Sequence, residues 1–139
     1  VLVEDCLVEM LEVTSSDGAV TFASELDAAV LKDSRIRVDA DGVNALRIKS
    51  EPDGDRRGPF RCENLRITGA AATGASVLAA DARGCRIEDV AISHTGASRD
   101  GIATHNVTGS LRDVSVDVTG EPFRLDDSDL DRRDVTVSR

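Results

Sequence analysis

The chain has 139 residues and a formal net charge of −9 at pH 7, from 26 acidic against 17 basic side chains. That length suits a single domain, and no apolar stretch approaches the ~18 residues that a membrane-crossing helix needs. The acidic balance would repel a phosphate backbone, so nucleic acid is not an expected partner. Because acids dominate and Lys32 and Lys49 are the only lysines, the composition is typical of a halophilic protein, with a high-GC mesophile as the alternative.

The cysteines give no sign of a metal or redox site. Cys6, Cys62 and Cys85 lie far apart and form no Cys-x-x-Cys pair, which predicts buried thiols, with a single disulfide as the open alternative. No zinc signature, Gly-rich phosphate loop or nucleophile elbow occurs in the sequence, so we expect neither a metal nor a cofactor. Since aromatic residues make up only 2% of the chain, the predicted core consists of Val, Ile, Leu and Ala.

Short strand-like runs recur along the whole chain. After a first run over residues 1–6, one pattern places a polar residue (Ser, Asn or Asp) before alternating apolar positions, and a second apolar run lies between its copies. The first pattern occupies residues 34–38, 64–67, 89–92, 113–116 and 134–137, and the second run occupies 19–22, 45–48, 76–79, 101–104 and 122–125. Turn residues such as Thr-Gly separate the runs.

Period-2 alternation of β-branched residues predicts strands. Strands this short, repeated every two dozen residues or so, suit a solenoid whose coils stack at about 4.8 Å spacing. The sequence therefore predicts an all-β, right-handed parallel β-helix of roughly five to six coils. We expect residues 1–139 to form a single domain. A β-sandwich is the alternative. Because strands reach both ends without a capping helix, we expect a piece of a longer solenoid or an element stacked on another chain.

A family resemblance lies in the first half of the chain. Residues 16–25 read SDGAVTFASE, residues 33–38 DSRIRV, residues 44–50 NALRIKS and residues 62–67 CENLRI. This order is similar to the C-terminal half of the polygalacturonase-type pectinases, glycoside hydrolase family 28. In that family a Gly-His-Gly turn precedes a strand ending in Gly-Ser-Glu, and an Asn-Gly-Leu-Arg-Ile-Lys segment follows one coil later.

The resemblance implies a uronate-binding site. Family members hydrolyse polygalacturonic acid with inversion, by a pair of carboxylates, and the resemblance assigns Arg47 and Lys49 to the substrate's carboxylate. Two residues apart on one strand, both side chains would point to the same face; the alternative is that they are solvated and pair with neighbouring acids. The family's histidine position is Asp17 here, the single weak candidate for a catalytic residue. The acid pair would lie before Val1, or this branch has lost hydrolysis.

Other polar residues have simpler interpretations. Asp100 precedes Gly101 at a turn, which accounts for it without catalysis. His94 and His105 lie near turns and are predicted to be solvated. The acidic run 126–131 is either a Ca²⁺ site or a solvated corner, and the triplet beginning at Asn106 matches an N-glycosylation sequon.

These observations predict a secreted, polysaccharide-directed β-helix at the cell surface or outside the cell of a halophile. Its expected partner is an acidic, uronate-containing polysaccharide, and whether its full-length form is an enzyme stays open. The alternative is a non-catalytic structural or adhesive β-helix, such as a surface-layer protein or a tail-spike-like element. That alternative would place an exposed apolar strip along one face, where copies of the chain associate.

Overall fold

The computed structural model describes residues 2–11, 18–22, 28–49 and 58–138. These residues form ten strands and no helix, and so none that could span a membrane. The strands are β1 (Leu2–Glu4), β2 (Leu7–Met10), β3 (Gly18–Phe22), β4 (Ala29–Val38), β5 (Asn44–Lys49), β6 (Phe60–Gly69), β7 (Ala75–His94), β8 (Asp100–Asp117), β9 (Phe123–Asp126) and β10 (Asp129–Ser138).

Every strand pairing among them is parallel, and each strand pairs with the equivalent strand one coil away. The result is a β-solenoid of about five turns, which confirms the predicted parallel β-helix. A β-sandwich is excluded because its strands would run antiparallel. The right-handed sense stays a prediction from the rule for parallel crossovers.

Each coil has three faces, which we name by their strands. Face A contains β3, β5, residues 75–80 and 100–105, and β9. Face B contains β1 and residues 29–32, 60–63, 82–88, 107–112 and 129–133. Face C contains β2 and residues 34–38, 65–69, 90–94, 114–117 and 135–138.

The corner between faces B and C is a column of Asp and Asn residues with positive φ. Their φ values lie between 51° and 54°, in the left-handed region that Asp and Asn tolerate better than other side-chain-bearing residues. The strand registers stack them one above another, and Asn64 Nδ2 donates to Asp33 Oδ1 at 2.8 Å. We call these residues the Asx column; they are Asp5, Asp33, Asn64, Asp89, Asp113 and Asp134.

A shorter column of the same kind separates faces A and B. Asp81, Asn106 and Asp127 have φ of 52°, 54° and 45°, and Asn106 Nδ2 donates to Asp81 Oδ1 at 2.8 Å. A glycan attached to that amide would interfere with this bond. The positive φ and the hydrogen bond at this corner therefore explain why an asparagine occurs at position 106.

Replacing Asn64 with alanine is expected to lower the free energy of unfolding by about 1–2 kcal/mol, since alanine tolerates φ 52° less well than asparagine and the bond to Asp33 is lost. Urea unfolding followed by circular dichroism measures the change. Asn64→Gly removes the same bond but relaxes the backbone, so it should be less destabilising than alanine. Equal losses in the two variants would contradict the strain argument.

The core is mainly aliphatic, as predicted, but it also contains Phe22 and Phe60, whose rings stack with their centroids 6.3 Å apart. Inward positions on successive coils stack into columns, for example Ile36, Ile67, Ile92 and Val116 on face C, and each of these residues is at most 2% exposed. Columns of β-branched and leucine side chains pack well because the parallel register repeats the same spacing at every coil.

The three cysteines are free thiols. Cys62 and Cys85 are buried, as predicted, whereas Cys6 is only half-buried. Burial raises the pKa of Cys85 to about 12 and that of Cys62 well above its usual range. Both thiols therefore stay protonated at neutral pH and behave as small apolar core residues.

Candidate functional site

Arg47 and Lys49 lie on the outer side of face A. Within β5, Leu46 and Ile48 point into the core and are fully buried. The alternation leaves Arg47 half-buried and Lys49 exposed on the opposite side. The two predicted substrate-binding side chains therefore share one outward surface. Lys49 makes no ion pair within the part of the chain that the structure describes.

Their neighbours on face A form two outward columns. Small or uncharged side chains occupy the middle of each column, and a second arginine lies in register with Arg47 at the far end. The Arg47 column is Thr21, Arg47, Leu78, Ala103 and Arg124, and the Lys49 column continues through Ala80, His105 and Asp126.

Arg124 is a site residue that the resemblance does not assign. It lies three coils from Arg47 in the same column, which corresponds to about 14 Å at the usual spacing of strands. Arg124 Nη1 lies 3.2 Å from Asp100 Oδ2, and this contact positions its side chain. The repeat in the sequence could have identified Arg124, because residues 122–125 align with residues 45–48 and Arg124 then occupies the position of Arg47.

The outward charge of face A differs from that of the whole chain. Its two columns carry Arg47, Lys49 and Arg124 against the carboxylate of Asp126, and Arg124 also pairs with Asp100; a net positive charge remains there, whereas the chain carries −9. A basic strip on an acidic protein attracts anions locally and leaves the remaining surface repulsive to them. The face can thus recognise an anionic group by both charge and hydrogen bonds.

The acids near face A serve structural purposes. Asp100 Oδ1 accepts the backbone N–H of Glu121 at 2.9 Å, in keeping with the predicted turn role. In the acidic run, Asp127 forms the corner described above, and Asp131 Oδ2 lies 3.3 Å from Arg133 Nε. Among the described residues no three metal-ligating side chains cluster. Asp17, the weak catalytic candidate, lies outside the described residues.

Two buried polar side chains lie at the corner between faces C and A, where residues 95–99 connect β7 to β8. The prediction that His94 is solvated is wrong: it is 3% exposed. It lies two residues after Ile92 and so points to the same inward side. Arg99 is fully buried, and its Nη1 donates to the carbonyl oxygens of Val43 and Thr73, both at 2.6 Å.

Burial sets the protonation of this pair. Burial, with a smaller effect from the Arg99 charge, lowers the pKa of His94 to about 4, although Asp39 opposes the shift. Burial also lowers the pKa of Arg99 to about 10, partly offset by Asp100 and Asp41. At neutral pH His94 is therefore neutral and Arg99 is charged, a buried cation that joins its own coil to the two preceding ones.

Comparison with known proteins gives no match: no protein-family model, no curated protein and no solved structure is significantly similar to this chain. The resemblance to family 28 glycoside hydrolases therefore stays a prediction.

Proposed function

We propose that this β-helix binds an acidic, uronate-containing polysaccharide on face A and, with the residues present here, does not cleave it. The observation that carries the proposal is the position of Arg47 and Lys49 side by side on the outside of β5, on a face whose outward charges are basic. We place the protein outside the cell or at the cell surface, where such polymers occur.

The chemistry of the face suits a carboxylated sugar chain. The planar guanidinium of Arg47 can hold a carboxylate through two parallel hydrogen bonds, and Lys49 adds a point charge beside it. The half-buried Leu78 follows Arg47 in the same column and offers a low apolar surface to the C–H face of a sugar ring. Arg124 lies at the far end, so a polymer running along the solenoid axis would contact two arginines at once, which strengthens binding.

The acidic corners support a halophilic origin as part of this proposal. Five aspartates of the Asx column follow one another with only Asn64 interrupting the series. Carboxylates stacked at about 4.8 Å repel one another, and this repulsion weakens as salt shortens the screening length. The fold is therefore suited to concentrated salt.

Binding of an oligogalacturonate tests the proposal. Arg47→Ala is expected to weaken the affinity for trigalacturonate, measured by isothermal titration calorimetry at low ionic strength, by about 10- to 100-fold, the range for a charge-assisted bidentate contact. Arg35→Ala is the matched control, because Arg35 is an exposed arginine on face C; it should bind like wild type. Equal affinity of wild type and Arg47→Ala, or no binding by either, would overturn the proposal.

The structural or adhesive alternative makes a different prediction about the surface. It expects an apolar strip along one face, but the large exposed apolar side chains among the described residues are Leu2, Leu7, Leu11 and Val137, which lie in the first and last coils. Self-association in sedimentation experiments together with no glycan binding would favour that alternative.

A further inference from the structure

Face B carries a groove that the proposed function does not use. Its volume is about 570 Å³, and it extends across three coils, from Arg86 through Ser110 to Arg133. That size lies within the usual range of small-molecule sites. Face A and this groove lie on different sides of the Asp81–Asn106–Asp127 corner, so a ligand here would be separate from one on face A.

Backbone without side chains forms the floor of the groove. Strand β7 has one extra residue relative to β8 between Ala82 and Cys85, which makes a β-bulge. Gly84 and Gly109 line the groove at this bulge. A β-carbon on Gly109 would lie 1.9 Å from the carbonyl oxygen of Cys85, and its φ is +151°. Any other residue at this point would collide with the backbone of the adjacent coil.

Arg86 is the groove's available cation. In its column it follows Arg61 directly, and Arg61 already pairs with Glu63 at 2.9 Å. Arg86 makes no ion pair with any residue that the structure describes. Two guanidinium groups stacked one coil apart repel each other. A bound anion at Arg86 would relieve that repulsion.

The remaining polar groups restrict the kind of anion. Arg112 and Arg133 line the groove with their own partners, Asp113 at 3.6 Å and Asp131 at 3.3 Å. Glu88, Asp131 and Ser110 add oxygen atoms that accept hydrogen bonds. The three arginines of the lining outnumber its two carboxylates, so the groove attracts an anion, and the carboxylates can in addition accept hydrogen bonds from hydroxyl groups, which sulfate lacks.

We infer that this groove binds a hydroxyl-bearing monocarboxylate of the sugar-acid class, with its carboxylate on Arg86 and its hydroxyls on Glu88, Asp131 and Ser110. A guanidinium holds a carboxylate through two parallel hydrogen bonds, and acidic side chains beside it select for hydroxyl donors. The inference rests on face B alone and does not require that face A bind a polymer.

The test is a titration of ¹⁵N-labelled protein with D-galacturonate, followed by NMR. Shifts of the Gly109, Ser110 and Leu111 amides are expected, and Arg86→Gln should weaken the affinity at these amides at least tenfold. Arg35→Gln, which removes the same charge from face C, is the control and should titrate like wild type. Arg47→Ala should also leave these shifts unchanged, so failure of one proposal can be told apart from failure of the other.

Three results would overturn the inference. Equal affinity of neutral D-galactose at the same amides would remove the role of the carboxylate. Binding of inorganic sulfate there as tightly as galacturonate would remove the role of the hydroxyls. Galacturonate shifts confined to amides of face A, or no shifts at all, would remove the site itself.

Discussion

Replacing Arg99 with alanine is expected to lower the free energy of unfolding by about 4 kcal/mol, the range for truncating a large buried side chain and removing the donor to a buried carbonyl. Arg99 is fully buried, and its Nη1 is the donor for the carbonyl oxygens of Val43 and Thr73. Because these two carbonyls belong to the two preceding coils, the loss is spread over three coils. Urea unfolding followed by circular dichroism at pH 7 measures it.

Two further variants separate packing from hydrogen bonding. Arg99→Met keeps most of the volume and should recover the part of the loss that comes from the cavity. Arg112→Ala removes an exposed arginine whose ion pair with Asp113 spans 3.6 Å, so it should change stability by less than about 0.5 kcal/mol. An Arg99→Ala protein within about 1 kcal/mol of wild type would contradict the assigned role.

Acidification from pH 7 to pH 4 is expected to destabilise the wild-type protein by about 3 kcal/mol more than it destabilises His94→Leu. In the folded protein burial lowers the pKa of His94 from 6.5 to about 4, whereas in the unfolded chain the imidazole binds a proton near its ordinary pKa. The unfolded state therefore takes up the proton first. Stability falls as the pH drops through 6.5, and this loss is complete only below about pH 4.

The comparison between variants isolates one imidazole among many acids. Carboxylates that do not interact with His94 contribute equally to wild type and to His94→Leu, so they cancel in the difference. Asp39, whose charge interacts with His94, belongs to the measured effect. His105 is exposed, and His105→Leu should keep the full acid sensitivity of wild type. Identical pH profiles of wild type and His94→Leu, from urea unfolding at each pH, would disprove the effect.

The coil architecture was predictable because it is a local, repeated property. The alternation of apolar residues in runs such as 65–67 and 90–92 specifies which side chains face inward, and the parallel repeat places these residues above one another. The polar residue before each run marks the corner between faces B and C, since most copies are the Asp or Asn of the Asx column. In the first full coil that residue is Asp33, one position before the start of the predicted run.

The candidate site was predictable only in part. The alternation of side chains along β5 was enough to place Arg47 and Lys49 on the same side of the strand. That Arg124 shares this surface depends on how the strands of successive coils are paired. The turn after His94 suggests a surface position, whereas the alternation of side chains along β7 points the imidazole inward. The burial of Arg99 could not be anticipated, since its partners are carbonyl groups of Val43 and Thr73, more than two dozen residues earlier in the chain.

By itself the sequence determined the strand content, the aliphatic core and the inward or outward direction of most side chains, because each depends on neighbours within a few residues. Only the tertiary structure decided which outward side chains share a column: Arg47 with Arg124 on face A, and Arg86 with Ser110 and Asp131 at the groove. These columns depend on how coils of unequal length are brought into register. The turns and the bulge after Ala82 absorb the differences in length, so that inward positions such as Val90 and Val114 remain paired.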